Sequence, residues 1–363
     1  MRGFRKADGV IHHLMGATHR GTFIGQASPC PIMTSAPRSD VGGFRHSDPF
    51  VAAARAVCPT MRSSDIARLL TLSAIWGASF LFMRIIVPAL GPLPTAFFRV
   101  TLGAIGLAVI LLAMRVRWEF KGLLGASMVL GVINSGIPFV MYCLAARVLP
   151  AGYSAILNAT TPLMGVVIGT LFFRERLTGA KSLGVLLGLI GVAVLTRTGP
   201  VTMSGPVVMG ALACLVATSC YGLAGYLTKR WITERGGLDA KLVAFGSQLG
   251  AAVVLLPFFG YVSATSGIPG PATGGVWAAM AALGFLCSAV AYMLFFRLIA
   301  DLGPLRSLTV TFLIPPFGVL WGALFLNEAV TMAHFFGGCF IALAVWLVCK
   351  PPKALPSTSR AAS

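Results

Sequence analysis

Along this chain polar residues punctuate the sequence rather than alternate with apolar ones. Apolar windows recur with hardly a charged residue inside them, and each is close to the roughly 20 residues that an α-helix needs to cross a hydrocarbon layer. Lipid offers the backbone no hydrogen-bond partner, so such a window is a helix or it is not in the membrane. The pattern predicts ten spans. In the first half these are Leu69–Pro88, Leu93–Met114, Gly122–Leu149, Ala151–Phe173 and Ala180–Leu195. In the second they are Gly205–Thr228, Leu242–Val262, Gly275–Leu298, Leu305–Leu326 and Ala333–Cys349. The links are short and rich in Pro and Gly.

The two halves share a spacing. Pro162, Gly165, Gly169 and Glu175 match Pro315, Gly318, Gly322 and Glu328 at an offset of 153, which also sets Ser154 on Ser307, Phe172 on Phe325 and Gly184 on Gly337. Near the start of each half Trp76, Gly77 and Arg84 match Tyr221, Gly222 and Lys229 at an offset of 145. Each copy has five predicted spans, an odd number, so the second enters the membrane from the side opposite to the first. The expected fold is an all-α integral membrane protein of ten transmembrane helices, built as two inverted five-helix repeats over residues 61–197 and 205–350. Glu175 and Glu328 then fall on opposite faces.

Composition agrees with the pattern. Of 363 residues 57% are hydrophobic and 10% charged, against roughly 25% charged in a soluble domain. The net charge of +18 would suit a nucleic-acid binder, but no loop combines a basic cluster with interleaved aromatics, and no nucleic-acid partner is expected. The basic residues instead mark orientation. With the N-terminus inside, 17 of them lie in cytoplasmic segments, while Arg84, Arg147 and Arg197 lie near outer span ends. By the positive-inside rule both termini are cytoplasmic, in a multi-pass protein of the cell (inner) membrane. The eight cysteines form no CxxC pair and read as small core residues.

Residues 1–60 differ in kind, with four of the five histidines and no apolar run long enough to span. They are expected to be a disordered extension, with Met61 as an alternative start that leads through Arg62 and Arg68 into the first span; a targeting or regulatory tail is the other reading. Residues 351–363 are expected to be a cytoplasmic tail.

The sequence AIWGASF at the entry of span one, FFR in span two, AILNATTPLMGVVIGTLFFRERLT in span four and LTVTFLIPPFGVLWGALFLNEAVT in span nine carry a resemblance. Over about residues 66–350 the chain resembles the EamA-type members of the drug/metabolite transporter superfamily. That resemblance implies a ten-helix secondary carrier with a central cavity between two five-helix modules, which exports small metabolites or amino acids. The second copy departs from the first in its Pro315–Pro316 pair and in Asn327, where the first has Arg174 and Arg176, so its outer end is expected to pack differently.

Proline inside a helix removes a donor and crowds the carbonyl four residues back. Pro162 frees Asn158 and Pro315 frees Thr311, which are repeat mates. Both prolines are predicted kinks, and both polar residues are candidates for the cavity wall, a satisfied kink being the alternative. Gly165 and Gly169, and Gly318 and Gly322, have the GxxxG spacing of closely approaching helices and carry no chemistry. Arg99, about six residues into span two, is a candidate for attracting a carboxylate; snorkelling to the interface is the alternative. Trp76, Asn134, Tyr142, Tyr221, Gln248 and Tyr292 complete the candidate substrate-binding set, and in the repeat Arg99 matches Gln248 approximately, as Tyr142 matches Tyr292.

No acid lies in the middle of any span, so the sequence lacks the intramembrane Asp or Glu commonly expected of a proton relay and leaves ion coupling, facilitated diffusion and exchange open. An ATP-driven pump is not expected, since the sequence has neither a GxxxxGK[ST] loop nor a soluble domain to hold one. The competing readings are an intramembrane lipid-modifying enzyme, a carrier of a lipid-like or aromatic substrate, and a scaffold. Against the enzyme, His334 is the sole histidine near a span, which leaves neither a Ser/His dyad at depth nor an HExxH site. The expectation is a non-enzymatic secondary transporter with no cofactor or metal, whose partners are a small-molecule substrate and membrane lipid; a homodimer is compatible with the sequence.

Overall fold

The computed structural model describes residues 63–175, 178–198, 204–266, 273–302 and 310–349. The expected N-terminal extension and C-terminal tail, and Arg176 and Arg306, lie outside the described residues. Within them the chain is all-helical. In the first half α1 is Ser63–Leu90, α2 Pro92–Ala113, α3 Leu124–Ala145, and α5 Gly179–Thr198. Between the last two, α4 is a bent pair, Ala151–Asn158 and Thr161–Phe173, whose axes differ by 42°. In the second half α6 is Gly205–Trp231, α7 Ala240–Ser266, α8 Gly274–Leu302, α9 Val310–Leu326 and α10 Met332–Cys349.

Length and hydropathy qualify six of the described helices as membrane spans: α1, α2, α3, α6, α7 and α8, with α4 a seventh if its halves are one span. α5 is apolar over Lys181–Leu195, and α9 and α10 are shorter apolar helices. At 28 residues α1 is about 42 Å long, beginning six residues before the predicted start at Leu69. Gly91 makes the turn into α2 with φ 82, a conformation open to glycine, and Pro92 starts the helix where its missing N–H costs nothing.

Helix partners repeat between the halves. α1 lies along α9 as α6 lies along α4, α2 meets α8 as α7 meets α3, and α5 pairs with α10. The crossings are made at glycine. A Cβ on Gly77 of α1 would meet Phe317 Cβ at 2.8 Å and the Gly318 nitrogen at 3.0 Å, and one on Gly222 of α6 would meet Gly165 Cα at 2.9 Å. Without a hydrophobic force between helices in lipid, such backbone-to-backbone approach is what holds them. Trp321 of α9 adds a hydrogen bond from Nε1 to the Ala74 carbonyl at 2.9 Å.

The C-termini of α4 and α9 are alike, contrary to the sequence expectation. Arg174 and Asn327 both take the left-handed conformation, φ 54 and 52. Each chain end then folds back, so that Glu175 N–H donates to Gly169 O at 3.0 Å and Glu328 N–H to Gly322 O at 3.1 Å. The cap is a property of the backbone turn, which Arg and Asn both satisfy here. Over Gly322 the Glu328 carboxylate reaches the start of α4, where Ala151 N–H donates to both its oxygens at 2.9 Å. An anion at a helix N-terminus is favourable, and Arg84, 3.9 Å from Glu328, binds the Ala146 carbonyl at 2.7 Å. The other end of α1 is tied to α8 by Arg68 and Asp301 at 2.8 Å.

Gly77→Ala should destabilise the protein by about 1–3 kcal/mol, the usual cost of overpacking. Gly225→Ala, on the same type of helix but with nothing within 4 Å of its added Cβ, should be neutral or stabilising by about 0.5–1 kcal/mol. Thermal unfolding in detergent compares the two.

Candidate functional site

Three local breaks in regular helix shape the interior. α3 passes through a π-helical stretch over Val132–Gly136 and α8 through one over Ala282–Val290. A π turn carries one residue more than an α turn and is common at functional sites. The third break is in α4, between Asn158 and Thr161. Pro162 cannot donate to the Asn158 carbonyl; the Thr161 hydroxyl does so instead, at 2.7 Å. α9, in contrast, continues unbroken through Pro315 and Pro316, so the two predicted kink sites differ: the helix is interrupted before Pro162 and not at Pro315.

These elements enclose a cavity of about 300 Å³ among α1, α2, α3, α4, α6, α8 and α9. Of the nine candidate binding residues eight line it: Trp76, Arg99, Asn134, Tyr142, Asn158, Tyr221, Tyr292 and Thr311. Three repeat-mate pairs are among them, Trp76 with Tyr221, Tyr142 with Tyr292, and Asn158 with Thr311. Gln248 stands behind the wall. It is fully buried in α7, where its Nε2 donates to Ser135 Oγ at 3.2 Å and to the Tyr292 hydroxyl at 3.5 Å, so it orients a cavity residue rather than facing the space.

The wall is organised by aromatic contacts and one short hydrogen bond. Tyr142 donates to Asn158 Oδ1 at 2.8 Å, lies 6.3 Å from Tyr221 ring to ring, and receives the edge of Phe80 at 5.4 Å. Trp76 packs against Phe295 at 5.3 Å. Arg99 is 5% exposed, so it does not snorkel. Its guanidinium carbon sits 3.7 Å from the centre of the Phe139 ring and Nη1 contacts the Met83 sulfur at 3.5 Å.

Sequence reasoning missed Ser79, Met83, Phe139, Thr161 and Ser288, which also line the space. The signal was periodicity: Ser79 and Met83 follow Trp76 by three and seven positions and share its helix face. Cys287 is buried in the core, as expected, and there it also borders the cavity and donates its thiol to the Ile75 carbonyl at 3.2 Å. His334 lies elsewhere, in contact with the edge of Tyr153 at 4.9 Å, beside a larger hollow of about 390 Å³ between α4, α9 and α10. That hollow is bounded mainly by apolar residues such as Ile156, Phe312 and Phe335, with Thr331 and His334 as its polar lining.

The model of the EamA-like transporter family matches residues 65–197 and again residues 208–350. The chain belongs to that family. The EamA-family chain is 28% identical over 275 residues to Protein PecM of Dickeya dadantii, covering 76% of this chain and 88% of that protein. It is 24% identical to a probable terminal-alkyne amino-acid exporter of Streptantibioticus cattleyicolor, with coverage of 79% and 94%. To a probable amino-acid metabolite efflux pump of Escherichia coli it is 22% identical, with coverage of 79% and 95%. A crystal structure of 20% sequence identity shares the fold at a TM-score of 0.53 over 79% of this chain and 96% of that one. This EamA chain is thus a multi-pass membrane protein of a transporter family.

Thr161→Val should leave the Asn158 carbonyl without its donor and cost about 1–3 kcal/mol of stability. Pro162→Ala in the same chain returns a backbone donor and should recover part of that loss. A double-mutant cycle of unfolding midpoints tests the coupling.

Proposed function

We propose that the chain is a secondary transporter of the cell (inner) membrane that exports small polar metabolites or amino acids by alternating access. Its substrate site is the cavity formed by Trp76, Arg99, Asn134, Tyr142, Asn158, Tyr221, Tyr292 and Thr311, with Gln248 in support. One observation carries this reading: residues that are mates in the duplicated sequence converge from opposite halves on the same space. Inverted-repeat carriers put their sites at the repeat interface near the bilayer midplane.

The paired packing of the helices supports an inverted repeat of ten membrane crossings, α1–α5 and α6–α10. The short helices are compatible with it. α9, at 17 residues, is about 26 Å long, a few ångströms short of the hydrocarbon layer and within what local thinning accommodates. Basic residues on alternate loops support a cytoplasmic placement of both termini. Glu328 on the start of α4, braced by Arg84, then closes the outer end.

The names of the relatives support export of amino-acid-like compounds. In this reading Asn158 and Thr311 offer hydrogen bonds from the two halves, and the tyrosines fix the substrate's orientation. The two halves rock about the shared site.

Purified protein in liposomes loaded with unlabelled amino acids and related metabolites should show saturable counterflow of at least one labelled compound. Asn158→Leu, folded as judged by its unfolding midpoint, should raise KM or lower the rate at least tenfold, about 1.4 kcal/mol of lost interaction. Absence of counterflow across the panel by folded protein would overturn the carrier reading and favour a lipid substrate or an enzyme.

A further inference from the structure

Arg99 is set in the cavity wall in a way that the fold does not require. Its residue is 5% exposed, its Nε–H is buried with no hydrogen-bond partner, and it forms no ion pair among the described residues. The contacts it does make are weak ones, to the Phe139 face and the Met83 sulfur. A cation–π contact offsets only part of the desolvation of a buried cation. No carboxylate is found among the residues that line the cavity, so the lining side chains do not compensate the positive charge of Arg99. Among the described residues there is no internal counter-ion where one would be expected for a purely structural arginine.

We propose that Arg99 is the anion-binding residue of the cavity and that the transported compound is a small carboxylate of net negative charge with an aromatic or apolar body. The proposal rests on the transporter reading and narrows it, since it places zwitterionic amino acids below their deaminated counterparts. The Nε edge of a guanidinium can receive a carboxylate side-on through two parallel N–H donors. Phe139 covers one face of the guanidinium, and a carboxylate that displaced the atoms shielding Nε would take up its unpaired N–H. Around it Trp76, Phe80, Tyr142, Tyr221 and Phe295 provide surfaces for a ring or a short chain. An ammonium group in the same space would meet the like charge of Arg99 and find only ring faces and neutral oxygens, with no acid to pair with.

The test uses three compounds that share a phenyl ring on a two-carbon chain and differ in charge: 3-phenylpropionate (anion), phenylalanine (zwitterion) and phenethylamine (cation). Binding to the full chain in detergent at neutral pH is read by ligand-dependent thermal stabilisation and by tryptophan fluorescence. The anion should bind at least tenfold more tightly than phenylalanine, and phenethylamine should be weakest. Arg99→Gln should abolish the tenfold preference, whereas Arg99→Lys should retain an anion preference at lower affinity.

Equal or tighter binding of phenylalanine or phenethylamine by the unaltered protein would overturn the proposal, as would binding of none of the three or unchanged discrimination in Arg99→Gln. The ranking in the unaltered protein stands even if an Arg99 variant does not fold. Counterflow separates this outcome from failure of the carrier reading. A metabolite exchanged saturably without regard to its charge removes the anion site and keeps the carrier. Tight, Arg99-dependent binding of the anion without counterflow of any compound removes the carrier and keeps the site.

Discussion

Two helix crossings at which a glycine lets one backbone approach another set the other distances in this structure. Gly77 of α1 meets Gly318 of α9, and Gly222 of α6 meets Gly165 of α4. In lipid the apolar surface of one helix is no better served by another helix than by an acyl chain, so close contact must come from shape. The crossings also fix the cavity. Trp76 and Tyr221 are the residues immediately before the two crossing glycines, and Asn158 and Thr311 each precede the partner glycine by seven positions, two helical turns. The width of the space between the halves therefore follows from how nearly two backbones can touch.

The recurring Pro, Gly, Gly and Glu have separate tasks that this geometry requires together. The first glycine of each set belongs to the crossing. The second leaves room for a polar group beside the helix end: Glu328 lies where a Cβ on Gly322 would be, and the Tyr226 hydroxyl, with Glu175 next to it, lies where a Cβ on Gly169 would be. In the first copy the proline exposes a carbonyl that the hydroxyl of Thr161 takes up. A membrane helix can be interrupted only where another group takes over the bond that was lost.

Much of this was legible in the sequence because the membrane leaves few choices. Apolar runs named the helices to within several residues, and the duplicated spacing pointed to Asn158, Thr311, Trp76 and Tyr221, which meet at one cavity. Less was legible where the outcome depends on how three or more helices pack. Gln248 matched Arg99 approximately in the repeat, yet one residue faces the cavity and the other supports it from behind. Nothing local distinguishes them, because the choice depends on the rotation of α7 against α3. The π turns were invisible, since no residue type encodes them and they arise when a helix must keep two packing faces that an α-helical period would not align.

Those two stretches give the chain's evolution an unusual handle. In a regular helix one amino acid advances the surface by about 100°, and the extra residue of a π turn offsets the segments on either side by that step. Loss of one codon within Val132–Gly136 would thus turn Phe139 and Tyr142 off the cavity wall together, and a loss within Ala282–Val290 would do the same to Tyr292 and Phe295. Point changes adjust one contact at a time, whereas single-residue insertions and deletions here exchange a whole face. Divergence in what members of such a lineage carry can accordingly be sought in the length of these turns as well as in the identity of the lining residues.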